Sequence, residues 1–284
     1  MKSFKENFAK TLFTAAAGVS ILAAVLICVF LFANGLPAIG QIGIFNFLGG
    51  TEWKPSTDTY GILPMILGSV YATLGALIIG VPIGMFCAIY LSKYASPKAR
   101  KAIMPGVELL AGIPSVIYGF FGLVVIVPMI RSIFHVQGMS LLAASIILGI
   151  MILPTIITLA CSAIDAVPES YYEGAMALGA DHTRSVFRVL VPAAKSGIMA
   201  GIVLGVGRAI GETMAVVMVA GNQAVMPNSL LSGIRTLTTN VVLEMGYATD
   251  LHRDALIATA VVLFVFVLLI NVAFSVLKAR SANK

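Results

Sequence analysis

Residues 167–192, VPESYYEGAMALGADHTRSVFRVLVP, form a polar interruption between two long apolar runs of the 284-residue chain. Pro168 suits a first helical position, and Gly179 suits the left-handed residue that follows a helix C-terminus. Asp181 can cap a second short helix, and Pro192 is predicted to end that helix before the next apolar run. The stretch therefore predicts two short helices joined at a glycine corner and held at a membrane surface. Composition alone leaves an ordinary loop open as the alternative.

The apolar runs on either side predict an all-α membrane protein with six transmembrane helices. Hydrophobic residues make up 59% of the chain and charged residues only 11%, which lies outside the range of soluble globular domains. Strands of a barrel are not expected, because the runs do not alternate in polarity. Six runs reach the roughly 20 residues that cross a bilayer as a helix: Thr11–Ala33, Leu63–Leu91, Val107–Ile130, Met139–Cys161, Ala193–Ala220 and Ala255–Leu277.

The placement of Lys and Arg predicts that the N-terminus and the C-terminus are both cytoplasmic. With that orientation, most of the 18 lysines and arginines lie in cytoplasmic segments, as the positive-inside rule requires. The net charge of +6 is then explained by membrane topology, and no nucleic-acid partner is inferred. The partner that composition does imply is membrane lipid.

The sequence holds no catalytic or metal-binding constellation. Its three histidines, His135, His182 and His252, are too scattered to predict a cluster, and its three cysteines fall within or at the ends of apolar runs. Neither a GxxxxGK[ST] phosphate loop nor an HExxH motif is present. We therefore predict a chain that is not an enzyme, holds no metal or cofactor of its own, and does not itself hydrolyse ATP.

The fifth predicted span carries two charges deep in the hydrocarbon. Arg208 lies about 22 Å of helix beyond Pro192, and Glu212, four residues further, is predicted to share its helical face. Burying an arginine there costs on the order of 3 kcal/mol, so its side chain must face protein or water. A permanent ion pair is one interpretation. The other is a translocation path in which Arg208 donates to a passing oxyanion and Glu212 competes for it, so that binding stays transient.

Two further patterns concern helix packing. Glycines recur every four residues in the same span, which predicts close approach of another helix: Gly197, Gly201 and Gly205, then Gly207 and Gly211. The outer segment 221–254 contains apolar residues spaced for a helix that lies on or dips into the membrane: Ile234, Leu237, Val241, Val242 and Met245.

The polar interruption resembles the EAA loop of ABC importer permeases. That family's pattern is E-A-A, three residues, G, nine residues and I-x-L-P. The spacing agrees throughout, with Gly174 in place of an alanine and with Val189 and Val191 in place of Ile and Leu. The resemblance implies that the loop couples the permease to its ATPase subunits through five positions: Glu173, Gly174, Ala175, Gly179 and Pro192.

Four more stretches resemble the C-type permease subunits of Pst phosphate importers, and the similarity covers nearly the whole chain. The stretches are WKPSTDTYGILP, ELLAGIPSVIYGFFGL, GRAIGETMAVVMVAGN and RTLTTNVVLEMGYA. The resemblance implies a type I ABC importer permease fold in a single domain, residues 1–284. Residues 1–62 would form the first helix and outer loop, and residues 63–284 a five-helix core containing the coupling loop 162–195.

The resemblance also implies the partners and the place of work. These are a homologous A-type permease in a heterodimer, two ATPase subunits that carry ATP and Mg, and an external phosphate-binding protein, all at a bacterial inner membrane. Arg208 and Glu212 would belong to the phosphate path. Importers of molybdate, tungstate or phosphonate remain alternatives, because an arginine recognises negative charge and not one particular oxyanion. A secondary transporter, which needs no ATPase, is the more distant alternative.

Overall fold

A computed structural model describes residues 2–282 of the chain, and the side chains of residues 6–276. The two ends of the predicted 1–284 domain thus lie outside the described residues. Within the described part, the chain forms helices joined by short turns: α1 (Lys2–Ile42), α2 (Ile44–Gly49), α3 (Leu63–Ile89), α4 (Pro97–Gly112), α5 (Ser115–Phe121), α6 (Val127–Phe134), α7 (Leu141–Asp165), α8 (Glu169–Ala177), α9 (His182–Ser185), α10 (Val191–Ala193), α11 (Lys195–Gly211), α12 (Met214–Val219), α13 (Leu237–Glu244) and α14 (Asp250–Ala282).

Between these helices lie three π turns, a 3₁₀ turn at Pro55–Thr57, one small hairpin, and the longer connection 220–236 with a single parallel bridge between Gly221 and Ile234. The π turns continue α3 over Tyr90–Tyr94, join α5 to α6 over Gly122–Ile126, and join α9 to α10 over Val186–Leu190. The hairpin pairs β1 (Trp53–Lys54) with β2 (Thr59–Tyr60), so that Trp53 lies opposite Tyr60.

The helices agree with a multi-pass membrane protein. Five described helical stretches are long and apolar enough to cross a membrane, and a sixth is counted if the bent pair His182–Ala193 and Lys195–Gly211 is one span. The five stretches are Glu6–Ile42, Leu63–Tyr94, Ser115–Phe134, Leu141–Asp165 and Asp250–Val276. They account for five of the six predicted spans, with shifted ends.

The third span begins later than predicted. The chain from Pro97 to Gly112 forms the separate helix α4, and the span itself starts at Ser115. Proline disfavours helical geometry in the residue before it. Ile113, which precedes Pro114, is accordingly extended (ψ 126°), and α4 therefore ends at Gly112.

The fifth predicted span is split. α11 ends at Gly211, and the backbone of Glu212 is extended (φ −71°, ψ 130°) before α12 begins at Met214. The prediction of one continuous helix over Ala193–Ala220 is therefore wrong. The physical reason is local. The helical hydrogen bonds are interrupted at Glu212, and its carboxylate accepts from a backbone N–H at the start of the new helix α12.

α7 is the central helix of the bundle, and it is contacted on two sides at glycines. A Cβ on Gly80 or Gly84 of α3 would lie 2.8 and 2.9 Å from Ile152 and Ile156 of α7. The first glycine series of α11 faces α7 in the same way, with Gly201 against Leu159. The predicted close approach is thus confirmed for Gly197, Gly201 and Gly205, which meet Ala163, Leu159 and Ile156. Gly207 and Gly211 face open space within the described residues.

Candidate functional site

The glycine corner predicted for the polar interruption is present. Gly179 has φ +84°, and its N–H donates to the Met176 carbonyl at 2.9 Å, while the N–H of Ala180 donates to the Ala175 carbonyl at 3.1 Å. These two bonds define a Schellman motif, in which a glycine accepts the left-handed conformation without a Cβ penalty. Asp181 then caps α9, because its Oδ1 accepts from the N–H of Arg184 at 2.6 Å. Two short helices with a capped corner are therefore confirmed.

Pro168 and Pro192 take other places than predicted. Pro168 is the residue before α8 and not its first helical residue. Pro192 lies inside α10, so it does not end the second short helix as predicted. The π turn before it already carries the wider bond from the N–H of Val191 to the Val186 carbonyl, and we attribute the tolerance of the proline ring to that wider turn. The chain turns two residues later, at Ala194, with a bend of 68° between the helices on either side.

Most residues of the loop that resembles the EAA pattern are exposed on the surface of the chain. Glu173, Gly174 and Gly179 are exposed, whereas Ala175 is buried. Sequence reasoning missed Leu178, whose side chain is 91% exposed directly before the glycine corner. A large apolar residue in a polar stretch, next to a capping glycine, is the signal that would have identified it.

Arg208 lines a cleft of about 680 Å³ between α11 and α14. Its guanidinium is partly buried, and its Nη1 donates a long hydrogen bond of 3.4 Å to Thr155 Oγ1 of α7. Asn271 and Ser275 of α14 supply further polar groups to the cleft. The remaining lining is mostly apolar: Met199, Ala200, Val203, Leu204, Gly207 and Phe274.

Glu212 does not share a helical face with Arg208, because α11 ends between them. Its Oε1 accepts from the N–H of Ala215 at 3.0 Å, and its backbone carbonyl accepts from Thr238 Oγ1 at 3.1 Å. Within the described residues, no ion pair joins the two side chains. The carboxylate satisfies a free N–H at the start of α12. The guanidinium therefore points to Thr155 and the cleft without a carboxylate partner from this chain's described part.

A second polar cluster lies near the small hairpin, and sequence reasoning did not find it. Glu244 Oε2 accepts from Trp53 Nε1 at 2.8 Å and lies 2.8 Å from His252 Nε2, while Glu244 Oε1 is paired with Arg235. Burial alone would raise the pKa of Glu244, but the hydrogen bonds from Trp53, His252 and Arg235 outweigh it and lower that pKa. Trp53 and Glu244 are 191 residues apart, so no local pattern could have joined them.

This cluster changes the interpretation of the outer segment. α13 turns a largely polar side to the protein, with Thr238, Thr239, Asn240 and Glu244 buried beside Leu237. Val242, which the membrane-surface prediction places against lipid, is 53% exposed, and Ile234 and Leu237 are fully buried in the protein. α13 is therefore a helix packed against the rest of the protein, because its polar groups find partners inside the chain.

No group of three or more His, Cys, Asp or Glu side chains suited to a metal ion occurs in the part of the chain that is described.

Comparison with known proteins gives consistent matches. Residues 80–283 match the family described as binding-protein-dependent transport system inner membrane component. The chain is 40% identical to the probable ABC transporter permease protein YqgH of Bacillus subtilis, with 95% of this chain and 91% of that protein covered. It is 36% identical to the phosphate transport system permease protein PstC of Mesorhizobium japonicum, over 86% of this chain and 81% of that one. PstC of Xylella fastidiosa is 32% identical, over 98% and 92%.

Solved structures share the fold at low sequence identity. An inward-facing conformation of the MetNI methionine ABC transporter superposes with a TM-score of 0.57 at 22% identity, over 78% of this chain and 94% of that one. A bacterial ABC transporter that imports the acidic polysaccharide alginate gives a TM-score of 0.60 at 16% identity, over 96% and 99%.

Proposed function

The chain belongs to the family of binding-protein-dependent transport system inner membrane components, and from this premise we propose that it forms half of the translocation path of an ATP-driven phosphate importer. Membership makes it a multi-pass permease with the fold of type I ABC importers, and hence a transport subunit and not an enzyme. The phosphate assignment is supported by relatives named as phosphate permeases at 32–36% identity.

The observation that carries the proposal is the environment of Arg208. A permanently sealed ion pair would have argued for a structural role, but the guanidinium lines an open cleft and has one long bond, to Thr155. Placing a cation in the apolar interior of a membrane protein costs free energy, and such residues commonly line the path of a substrate or ion. We therefore assign Arg208 to the path of an anion. Its forked donors suit a tetrahedral oxyanion.

Glu212 belongs to the same proposed path. Its carboxylate lies one residue beyond the end of α11 and is held by the N–H of Ala215. If the carboxylate left that N–H and paired with the Arg208 guanidinium instead, it would displace the anion and keep anion binding transient. Tight capture at this point would slow transport.

The partners follow from the proposed importer. They are a homologous A-type permease, two ATPase subunits that bind ATP and Mg, and an external phosphate-binding protein. Glu173, Gly174 and Gly179 are exposed and would contact the ATPase subunits. Ala175, predicted as a coupling position, is buried and would instead hold α8 against its own chain, and Pro192 lies where the loop continues towards α11. The two permeases would rock between outward-open and inward-open states, which requires that nucleotide bind the two states with different affinity. Thirteen of the 18 lysines and arginines lie in the segments that this orientation places inside, which supports cytoplasmic termini.

Uptake of labelled phosphate into proteoliposomes holding the whole complex tests the proposal. Arg208→Gln should abolish uptake while assembly and membrane abundance are unchanged. Arg131→Gln is the matched control, because Arg131 is exposed and donates only to the Gln137 carbonyl within the described residues. Normal uptake by the Arg208 variant would remove that residue from the path.

The substrate is tested with the same complex. Phosphate should stimulate ATP hydrolysis when the binding protein is present, and molybdate, tungstate and phosphonate should not. Stimulation by one of those three instead would assign the chain to the corresponding importer. Uptake without any ATP would point to secondary transport.

A further inference from the structure

α8 carries the residues proposed to meet the ATPase, and few of its side chains are buried by its own chain. Ala175 is its one buried residue. The covalent route from α8 to α11 passes through α9, a π turn and the 68° bend at Ala194. α8 is also joined to α7 by the three-residue link 166–168, and side chains that connect α8 to other helices add a further route for its displacement into the bundle.

His182 makes such a junction. Its Nδ1 lies 3.0 Å from the hydroxyl of Tyr172, which belongs to α8. On its other side the ring of Tyr94 packs edge-on, with the two ring centroids 4.8 Å apart, and the Tyr94 hydroxyl donates to Thr183 Oγ1 at 3.3 Å. We call Tyr94, Tyr172 and His182 the aromatic clamp. It connects α8 and the start of α9 with a residue 88 positions earlier in the chain than His182.

Tyr94 leads directly into the core of the bundle. It is the last residue of the π turn that continues α3, a turn closed by the bond from the N–H of Ala95 to the Tyr90 carbonyl at 2.8 Å. α3 in turn packs on α7 so closely that a Cβ on Gly84 would lie 2.9 Å from Ile156. Tight packing of this kind transmits displacement, because close-packed interiors are stiff.

α7 carries the group that holds Arg208. Thr155, the acceptor of the Arg208 hydrogen bond, is the neighbour of Ile156 in that helix. The aromatic clamp, α3 and α7 thus form one series of contacts from the coupling loop to the cleft, separate from the covalent route through Ala194.

We propose that His182 is a positioning residue that joins α8 to α3 and so carries the displacement of the coupling loop to the α3–α7 pair and to Arg208. This inference rests on the proposed function, since it concerns how ATP-driven movement reaches the phosphate path. Without the clamp, α8 moves with the ATPase subunits while α3 stays behind. ATP is then hydrolysed with less phosphate imported.

The test compares the number of ATP molecules hydrolysed per phosphate imported, in proteoliposomes holding the complete complex. His182→Phe keeps an aromatic ring beside Tyr94 but removes the bond to Tyr172. It should raise the ratio about fivefold, the equilibrium effect of losing one ordinary hydrogen bond. His182→Asn, whose amide can replace Nδ1, should restore part of the coupling. Tyr90→Phe in the same π turn is the control, since the Tyr90 hydroxyl has no partner within the described residues.

The outcomes are separable. An unchanged ratio in His182→Phe overturns the inference, and so does a parallel fall of ATP hydrolysis and uptake, which marks a purely structural role. Should the His182→Phe complex not assemble, Tyr172→Phe carries the test, because it removes one hydroxyl from a half-buried side chain, and an unchanged ratio there also overturns the inference. If the unaltered complex imports no phosphate, the proposed function fails instead.

Discussion

Arg208 and Glu212, four residues apart in sequence, lie on either side of the end of α11 and bind different partners. The guanidinium donates to Thr155, and the carboxylate accepts from the N–H of Ala215. A buried arginine with a permanent carboxylate partner would be neutralised in place. This arrangement instead leaves the positive charge of Arg208 directed at the cleft, where an anion can meet it.

Loss of the Thr155 hydroxyl should weaken the positioning of Arg208 without removing its charge. In Thr155→Val we expect phosphate uptake to fall about threefold to tenfold, because the bond that is lost is long, at 3.4 Å, and therefore no stronger than an ordinary hydrogen bond. The measurement is the initial rate of uptake at low phosphate concentration. Thr158→Val, one turn further along α7, should leave the rate unchanged. Equal rates for both variants would contradict a positioning role of Thr155.

The glycine corner should tolerate a side chain poorly because of its left-handed backbone conformation, and not because space is lacking. Gly179→Ala adds a methyl group to open surroundings but forces φ +84° on a residue with a Cβ, at a cost of about 1 kcal/mol. Gly174→Ala adds the same methyl group on a helix, also in open space. We therefore expect reduced binding of the ATPase subunits, measured by co-purification, in the first variant only. A larger residue, as in Gly179→Leu, should disturb docking further.

The contact between α11 and α7 should be sensitive to a single methyl group. A Cβ on Gly201 would lie 2.9 Å from the Leu159 side chain, whereas one on Gly207 meets no atom within 4 Å of the described chain. Gly201→Ala should therefore destabilise the protein by about 1–3 kcal/mol through overpacking. Gly207→Ala should not. Thermal unfolding of the purified protein in detergent measures the difference, and equal unfolding temperatures would show that the contact can relax freely.

The cluster around Glu244 should make stability depend on pH in the acid range. The pKa of Glu244 is lowered in the folded protein, so the stability it contributes is present above its ordinary pKa of 4.5 and is lost as pH falls through the lowered value. Glu244→Gln should reduce stability at neutral pH by about 2 kcal/mol, because the half-buried Arg235 loses its charged partner and keeps only the oxygens of Asn222 and Asn240. It should also flatten the acid dependence of the unfolding temperature. An unchanged acid profile would assign that dependence to other carboxylates.

Local features of the fold could be predicted because short-range bonds determine them. The Schellman corner at Gly179 and the Asp181 cap each depend on residues within five positions, and the residues that form them are legible in sequence. The apolar length of the spans likewise needs no knowledge of neighbours, since a bilayer sets it. The ends of the spans were less accurate. Ile113 and Glu212 interrupt helices at points where apolar character continues, so hydropathy does not report them.

The sequence by itself determined that this chain crosses a membrane, that it presents a capped helical corner, and that a lone arginine lies deep in its fifth apolar run. Only the tertiary structure decided which partner each polar side chain found. Trp53 with Glu244, Tyr94 with His182 and Thr155 with Arg208 are separated by 191, 88 and 53 residues, respectively. Such pairs form only when packing brings distant parts of the chain together, and the buried ones satisfy hydrogen-bonding groups that an apolar interior would otherwise leave unpaired.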